Sequence, residues 1–264
     1  MLDLKRVMNC FRGMAVFAVM PLSLTVAMAS TVVPDTHFEL PQITKSTPNH
    51  AIFLKCKADL RSVYLSKGVV LDSPNELKAR NRDFAIVTGH GLEEGAECYV
   101  SDFQGNSHKV LSTTFASDYK SGTDTDWAVI SFKKIKGPHI VRYPVEEYLS
   151  GLSSLNNKNV SFAQARGLPQ NNQKCQLAVM NVKSINNISP FIGHNCRAIG
   201  GQSGSPITSY ESGQHKLIGL HLGNSWTLKS PITGKPGKIN FLRPYDQDMY
   251  LEVRKMLREL KEQN

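Results

Sequence analysis

From residue 51 onward the chain alternates between short apolar runs, rich in β-branched residues, and turn residues. Such runs predict β-strands. We predict strands at Ala51–Leu54, Val63–Leu65, Phe84–Val87, Cys98–Ser101, Lys109–Thr114 and Ala128–Phe132, and again at Val160–Ala165, Cys175–Val182, Ser205–Thr208, Lys216–Leu222 and Lys238–Leu242. A connector over Lys134–Tyr143 separates the two sets. Because no helical pattern intervenes between strands, the chain is predicted to be all-β, as a sandwich or a pair of barrels.

The last segment has a helical period instead. Its apolar residues recur mostly at intervals of three and four, which predicts an amphipathic α-helix over about 246–262. Either Asp246 or Asp248 can cap the N-terminus of this helix. The apolar positions are Met249, Leu251, Val253, Met256, Leu257 and Leu260.

The N-terminus has the features of a signal peptide over residues 1–29. Basic residues precede an almost wholly apolar run, which ends in Ala27-Met28-Ala29, a small-x-small pattern that signal peptidase accepts. A membrane anchor is the alternative, but the run is short of the about 20 residues that span a bilayer. Residues 30–50 are polar and rich in proline and are interpreted as a leader or propeptide. The folded domain is therefore predicted to span 51–264, and the protein to be secreted, either to the periplasm or outside the cell.

Cysteine usage agrees with export. One of the five cysteines, Cys10, lies in the predicted signal peptide, and an even number in an exported chain suggests disulfides. The other four, Cys56, Cys98, Cys175 and Cys196, allow three pairings. We favour Cys56–Cys98 with Cys175–Cys196, because each bridge then stays within one half of the chain. A zinc site is the alternative, but the Cys-x-x-Cys spacing typical of one is missing.

The chain is basic, with a formal net charge of +9. Removal of residues 1–29, which hold Lys5, Arg6, Arg12 and Asp3 and so carry a net +2, lowers it to +7. A positive excess can steer acidic substrates toward a protein. The basic residues are scattered and no nucleic-acid-binding motif occurs, which argues against a nucleic-acid partner.

One motif carries the candidate chemistry, Gly200-Gly201-Gln202-Ser203-Gly204-Ser205-Pro206-Ile207. Far upstream, His90 follows one apolar run and Asp126 precedes another. A serine nucleophile needs a base within reach, and a histidine base needs a carboxylate to orient it. Unrelated folds assemble this triad in different chain orders, and here the order is His, Asp, Ser.

This order and these motifs resemble the trypsin/chymotrypsin-like serine peptidases, and within them the bacterial V8-like (glutamyl endopeptidase-like) branch. Asp126-Trp127-Ala128-Val129 fits the family pattern, and the core Val87-Thr88-Gly89-His90 agrees with it, although the alanine and the adjacent cysteine that are usual around the histidine are missing. The resemblance implies two six-stranded antiparallel β-barrels, over about 51–140 and 155–245. It also implies a C-terminal helix packed on the second barrel, and a catalytic cleft between the barrels.

The resemblance also implies a role for each residue of the triad. Ser203 is the candidate nucleophile, His90 the general base and Asp126 the residue that orients His90. Asp124 is the rival of Asp126, since it lies on the same face of an extended segment. The backbone N–H groups of Gly201 and Ser203 are the candidate oxyanion hole. The substrates would be polypeptides, and the reaction needs no cofactor and no metal.

Substrate specificity is predicted by analogy. The resemblance places His221, Gly223 and Asn224 along the substrate-binding strand and Arg197 on the opposing wall. A histidine at the His221 position helps acid-specific relatives to bind glutamate, so cleavage after Glu or Asp is predicted. The other histidines, at 37, 50, 108, 139, 194 and 215, lack such a context and are interpreted as surface or structural residues.

Two other interpretations compete with a trypsin-like peptidase. An α/β-hydrolase needs Gly-x-Ser-x-Gly, but Ser205 occupies the last position here, and the order of the acid and the histidine after the serine does not fit. A catalytically inactive protein of the same fold, acting as a binding or adhesion module, is the second alternative, because a fold alone does not establish a function.

Overall fold

The computed structural model describes residues 50–57, 63–78, 81–92, 96–101, 107–136, 140–162, 174–183, 188–196, 198, 200–225 and 239–262. The predicted signal peptide, all but the last residue of the predicted leader, and Arg197 lie outside these residues. Within the described ranges, no helix combines the length and the apolar character needed to cross a membrane.

The first half of the chain forms a closed barrel of six antiparallel strands. In spatial order they are β1, β4, β5, β6, β3 and β2, and β2 pairs back with β1. A short strand, β7, adds to β2 in parallel. The strands are β1 Ile52–Lys57, β2 Val63–Asp72, β3 Arg82–Thr88, β4 Glu97–Ser101, β5 Ser107–Phe115, β6 Trp127–Lys133 and β7 Tyr143–Pro144.

The second half forms another closed antiparallel barrel, in the order β10-β13-β12-β11-β8-β9. Its strands are β8 Asn159–Phe162, β9 Lys174–Lys183, β10 Ile188–His194, β11 Pro206–Glu211, β12 Gln214–Ser225 and β13 Ile239–Pro244. The predicted all-β class and the two six-stranded barrels are confirmed. The sequence patterns missed β7 and β10.

The C-terminal helix, α1 (Gln247–Glu262), is also confirmed. Asp246 is the residue that caps it, because its Oδ1 accepts the Met249 N–H at 3.0 Å. The expectation that α1 packs on the second barrel is wrong in part. Its main strand contacts are with β5 and β6 of the first barrel, and Arg254 donates to Glu76 at 3.1 Å. The buried face of α1 completes an apolar core to which both barrels contribute.

Two disulfides brace the barrels. Cys56–Cys98 joins β1 to β4, where the two residues are direct partners in the strand register. Cys175–Cys196 joins β9 to the segment that follows β10. A native disulfide in a small domain contributes about 2–4 kcal/mol, mainly by restricting the unfolded chain. Each bridge therefore stabilises one barrel.

Candidate active site

His90 and Asp126 meet because their strands are neighbours. β3 and β6 are antiparallel and Thr88 pairs with Trp127, so the residue that follows β3 and the residue that precedes β6 emerge side by side. His90 lies in a single turn of 3-10 helix, Gly89–Gly91, directly after β3. Its Nδ1 lies 2.7 Å from Oδ2 of Asp126, and its backbone N–H donates to Oδ1 at 2.8 Å.

The Asp126 carboxylate is fully buried and accepts several hydrogen bonds. Besides the two from His90, the Gly122 N–H donates to Oδ2 at 2.8 Å. A carboxylate is an acceptor only, so Nδ1 of His90 must carry the hydrogen of the shared bond. This leaves Nε2 of the neutral ring as a hydrogen-bond acceptor, the state that a general base requires. The rival, Asp124, is exposed to solvent.

Ser203 stands at the corner of a tight turn. The Ser205 N–H donates to the Gln202 carbonyl at 3.0 Å, so Ser203 and Gly204 are the two central residues. Gly204 has φ of +82°, the value that a type II turn requires at its second central position and that favours glycine. Ser203 is half-buried at the first central position of the turn. The glycine that follows it could not be replaced by another residue without backbone strain.

The Ser203 turn is held between the two barrels. The Lys67 N–H, on β2, donates to the Ser203 carbonyl at 2.7 Å, and the Gly204 N–H donates to the His221 carbonyl, on β12, at 2.7 Å. A Cβ atom on Gly204 would lie 1.9 Å from the Lys67 carbonyl oxygen and 3.4 Å from the Thr88 nitrogen. The turn is thus packed against the end of β3, two residues before His90.

Of the predicted specificity residues, His221, Gly223 and Asn224 lie on β12, and Arg197 lies outside the described residues. His221 and Gly223 are buried and Asn224 is half-buried. The His221 N–H donates to the Ser205 carbonyl at 2.9 Å, which places the start of this segment beside the Ser203 turn. Inside the second barrel the side chain of His221 forms a hydrogen bond with His194, and the Nδ1 atom of His221 lies 3.0 Å from Nε2 of His194.

Sequence reasoning missed Lys67 and Gly122. The Lys67 side chain is 2% exposed, and its ammonium lies 5.5 Å from the centre of the Phe53 ring. Burial lowers the pKa of Lys67 to about 7. Gly122 acts through its backbone N–H, which no side-chain motif reveals. Lys67 carried a weak signal, since it sits in the predominantly apolar run of β2.

Two six-stranded antiparallel barrels with a C-terminal helix fit the trypsin-like fold. No known family model matches the chain, and no curated protein does.

Proposed function

We propose that this protein is a secreted serine endopeptidase that cleaves peptide bonds through an acyl-enzyme, in the manner of the V8-like branch. The observation that carries the proposal is the double hydrogen bond between His90 and the buried Asp126, at 2.7 and 2.8 Å, next to a tight turn that presents a serine. Export is supported by the N-terminal pattern and the two disulfides.

Each step of the reaction has a group to perform it. Nε2 of His90 takes the Ser203 proton as the oxygen attacks the scissile carbonyl, and later returns it to the leaving amine. Asp126 stabilises the imidazolium that forms between these two transfers. The N–H groups of Gly201 and Ser203 would bind the oxyanion, and one such donor contributes about 3 kcal/mol to lowering the barrier. Water then hydrolyses the acyl-enzyme by the same route.

The substrate preference that we propose is an acidic residue before the cleaved bond. His221 supports this preference, because it lies on β12 next to the Ser203 turn and is the one histidine with a family precedent for binding glutamate. The positive net charge of the chain supports it as well, since it favours the approach of acidic polypeptides.

A peptide-library digest of the wild-type protein and of Ser203→Ala tests this function. We expect cleavage by the wild type and a loss of about 10⁵-fold or more in the variant, because the other serine of the turn, Ser205, is fully buried. The melting temperature of the variant should be unchanged, since Ser203 contributes its backbone, and not its hydroxyl, to the contacts that hold the turn. Cleavage retained by Ser203→Ala contradicts the nucleophile assignment. A folded wild type that cleaves nothing favours the inactive binding module instead.

A further inference from the structure

The buried carboxylate of Asp126 receives one of its hydrogen bonds from the segment between β5 and β6, residues 116–126. Within this segment, residues 117–121 and Asp124 are exposed to solvent. The Gly122 N–H nevertheless donates to Oδ2 of Asp126 at 2.8 Å, and the same oxygen accepts Nδ1–H of His90. Surface loops are more mobile than the strands that they connect, so this bond needs contacts that fix the loop.

The Gly122 N–H belongs to the central peptide of a tight turn over residues 120–123. The Thr123 N–H donates to the Lys120 carbonyl at 3.2 Å, and Gly122 has φ of +78°, as the second central residue of a type II turn does. In a type I turn the central peptide is rotated by roughly half a turn, so its N–H points to the other face. The type of this turn therefore decides whether Asp126 receives the bond.

Thr123 fixes the turn from both sides. Its hydroxyl donates to the Lys120 carbonyl at 2.7 Å, in addition to its backbone N–H. The Thr125 N–H donates to the same hydroxyl oxygen at 3.3 Å. The Thr123 carbonyl accepts the Asp126 N–H, also at 3.3 Å. Thr123 therefore joins the turn that carries Gly122 to the backbone that leads into Asp126.

The same segment also contacts the turn that carries His90. A Cβ atom on Gly89 would lie 2.2 Å from the ring of Tyr119, so this ring packs directly on the backbone before His90. The Tyr119 N–H donates to the Ala116 carbonyl at 2.9 Å. One loop therefore touches both members of the histidine–aspartate pair, through a ring at one end and an N–H at the other.

We propose that Thr123 is a positioning residue of the triad, which acts through the Gly122 N–H to hold the Asp126 carboxylate toward His90. This inference rests on the proposed peptidase function and adds a residue to its machinery. The Gly122 donor restricts rotation of the carboxylate, so that Oδ2 stays within reach of Nδ1–H of His90. It also stabilises part of the negative charge that would otherwise act on the imidazolium.

Loss of the Gly122 bond should change both the rate and its pH dependence. More of the charge on Oδ2 would act on His90, so the imidazolium would release its proton only at higher pH. A less restricted carboxylate would also orient the ring less well for Ser203, which lowers kcat and leaves substrate binding unchanged. A residue that only stabilises the fold would lower the rate by the same factor at every pH, through the amount of folded protein.

The test compares Thr123→Val, which keeps the branched shape and removes the hydroxyl, with Thr123→Ser, which keeps the hydroxyl. We expect Thr123→Val to lower kcat about fivefold or more, with KM within about twofold of the wild type. The acid limb of its kcat/KM profile should move to higher pH, and Thr123→Ser should restore both properties. Thr114→Val is the control, because it makes the same chemical change at a half-buried position on β5, and its kcat should stay within about twofold.

Amide hydrogen exchange, followed by NMR, reads the Gly122 bond without relying on activity. We expect the Gly122 amide to be protected in the wild type and in Thr123→Ser, and to exchange about tenfold faster or more in Thr123→Val. An unprotected Gly122 amide in the wild type, or equal protection in all three proteins, overturns the inference.

The kinetic outcomes separate the two levels of inference. An active wild type whose kcat is unaffected by Thr123→Val overturns the positioning role and leaves the peptidase in place. The same holds for an acid limb that stays in place or moves to lower pH, and for losses that Thr123→Ser does not restore. A wild type that neither cleaves peptides nor reacts with a fluorophosphonate overturns the proposed function, and the role of Thr123 with it, even where the exchange pattern is as expected.

Discussion

Replacing Asp126 with asparagine is expected to lower kcat/KM by about 10⁴-fold, while leaving the protein folded. The carboxylate accepts the His90 backbone N–H on Oδ1, and Nδ1–H of His90 with the Gly122 N–H on Oδ2. An amide of the same shape has one donor end. If the NH₂ group of the amide takes the Oδ2 position, it faces the Gly122 N–H as a second donor, and it donates to Nδ1 of His90. The hydrogen of the His90 ring then lies on Nε2, which is no longer an acceptor. With that end at the Oδ1 position, it opposes the His90 backbone N–H.

The matched control is Asp124→Asn, which makes the same chemical change two residues away at an exposed position. We expect its kcat/KM to stay within about twofold of the wild type, as for surface substitutions in general. Steady-state rates on one peptide, with melting temperatures for all three proteins, give the comparison. Equal losses in both variants, or a loss in Asp124→Asn alone, would mean that the wrong aspartate has been assigned to His90.

Replacing Lys67 with methionine is expected to raise the free energy of unfolding at pH 7 by several kcal/mol. The folded state holds the pKa of Lys67 at about 7, against an ordinary value of 10.5. Between these two values the unfolded chain binds the proton and the folded chain does not, so the stability of the wild type rises as the pH rises. At 1.36 kcal/mol for each pKa unit, the cost of the buried amine at pH 7 has an upper limit of about 5 kcal/mol.

Urea unfolding at pH 7 and pH 9.5 tests the direction of this pH dependence of stability. The advantage of Lys67→Met over the wild type should be large at pH 7 and small at pH 9.5. Lys57→Met is the control, because Lys57 is exposed at the end of the neighbouring strand β1, and it should show no such difference. The Lys67 N–H that holds the Ser203 carbonyl belongs to the backbone and remains in the variant. A Lys67→Met variant that is less stable at both pH values would mean that the ammonium contributes a net stabilising contact.

The features that were predictable from the sequence are those set by local patterns. Alternating apolar runs predicted the strands, and the three-and-four spacing predicted α1. Strand β10 was missed because Pro190 and Gly193 both weaken a strand pattern. Among the described strands, the half of β10 that contains Pro190 pairs only with β9. Proline has no N–H, and at this position its absence removes no hydrogen bond to β13.

The residues of the candidate site also divide into those marked by local motifs and those that depend on contacts distant in sequence. Motifs marked Ser203, His90 and Asp126, because each stands in a short recognisable context. Nothing local marked His194, and Lys67 was marked only weakly by the apolar run around it, since their contacts are with His221 and the Ser203 backbone, residues distant in sequence. The contacts of α1 with the first barrel are of the same kind. Such long-range pairings depend on how the two barrels close, which the periodicity of the chain does not encode.

The most direct test of the serine activation is labelling with a fluorophosphonate, followed by peptide mass spectrometry of the adduct. If His90 activates Ser203, one phosphonyl group should be found per chain, on Ser203, and the adduct should be lost in a folded His90→Gln variant. A wild type that stays unlabelled, or a Ser203 that reacts equally fast without the imidazole, would contradict it.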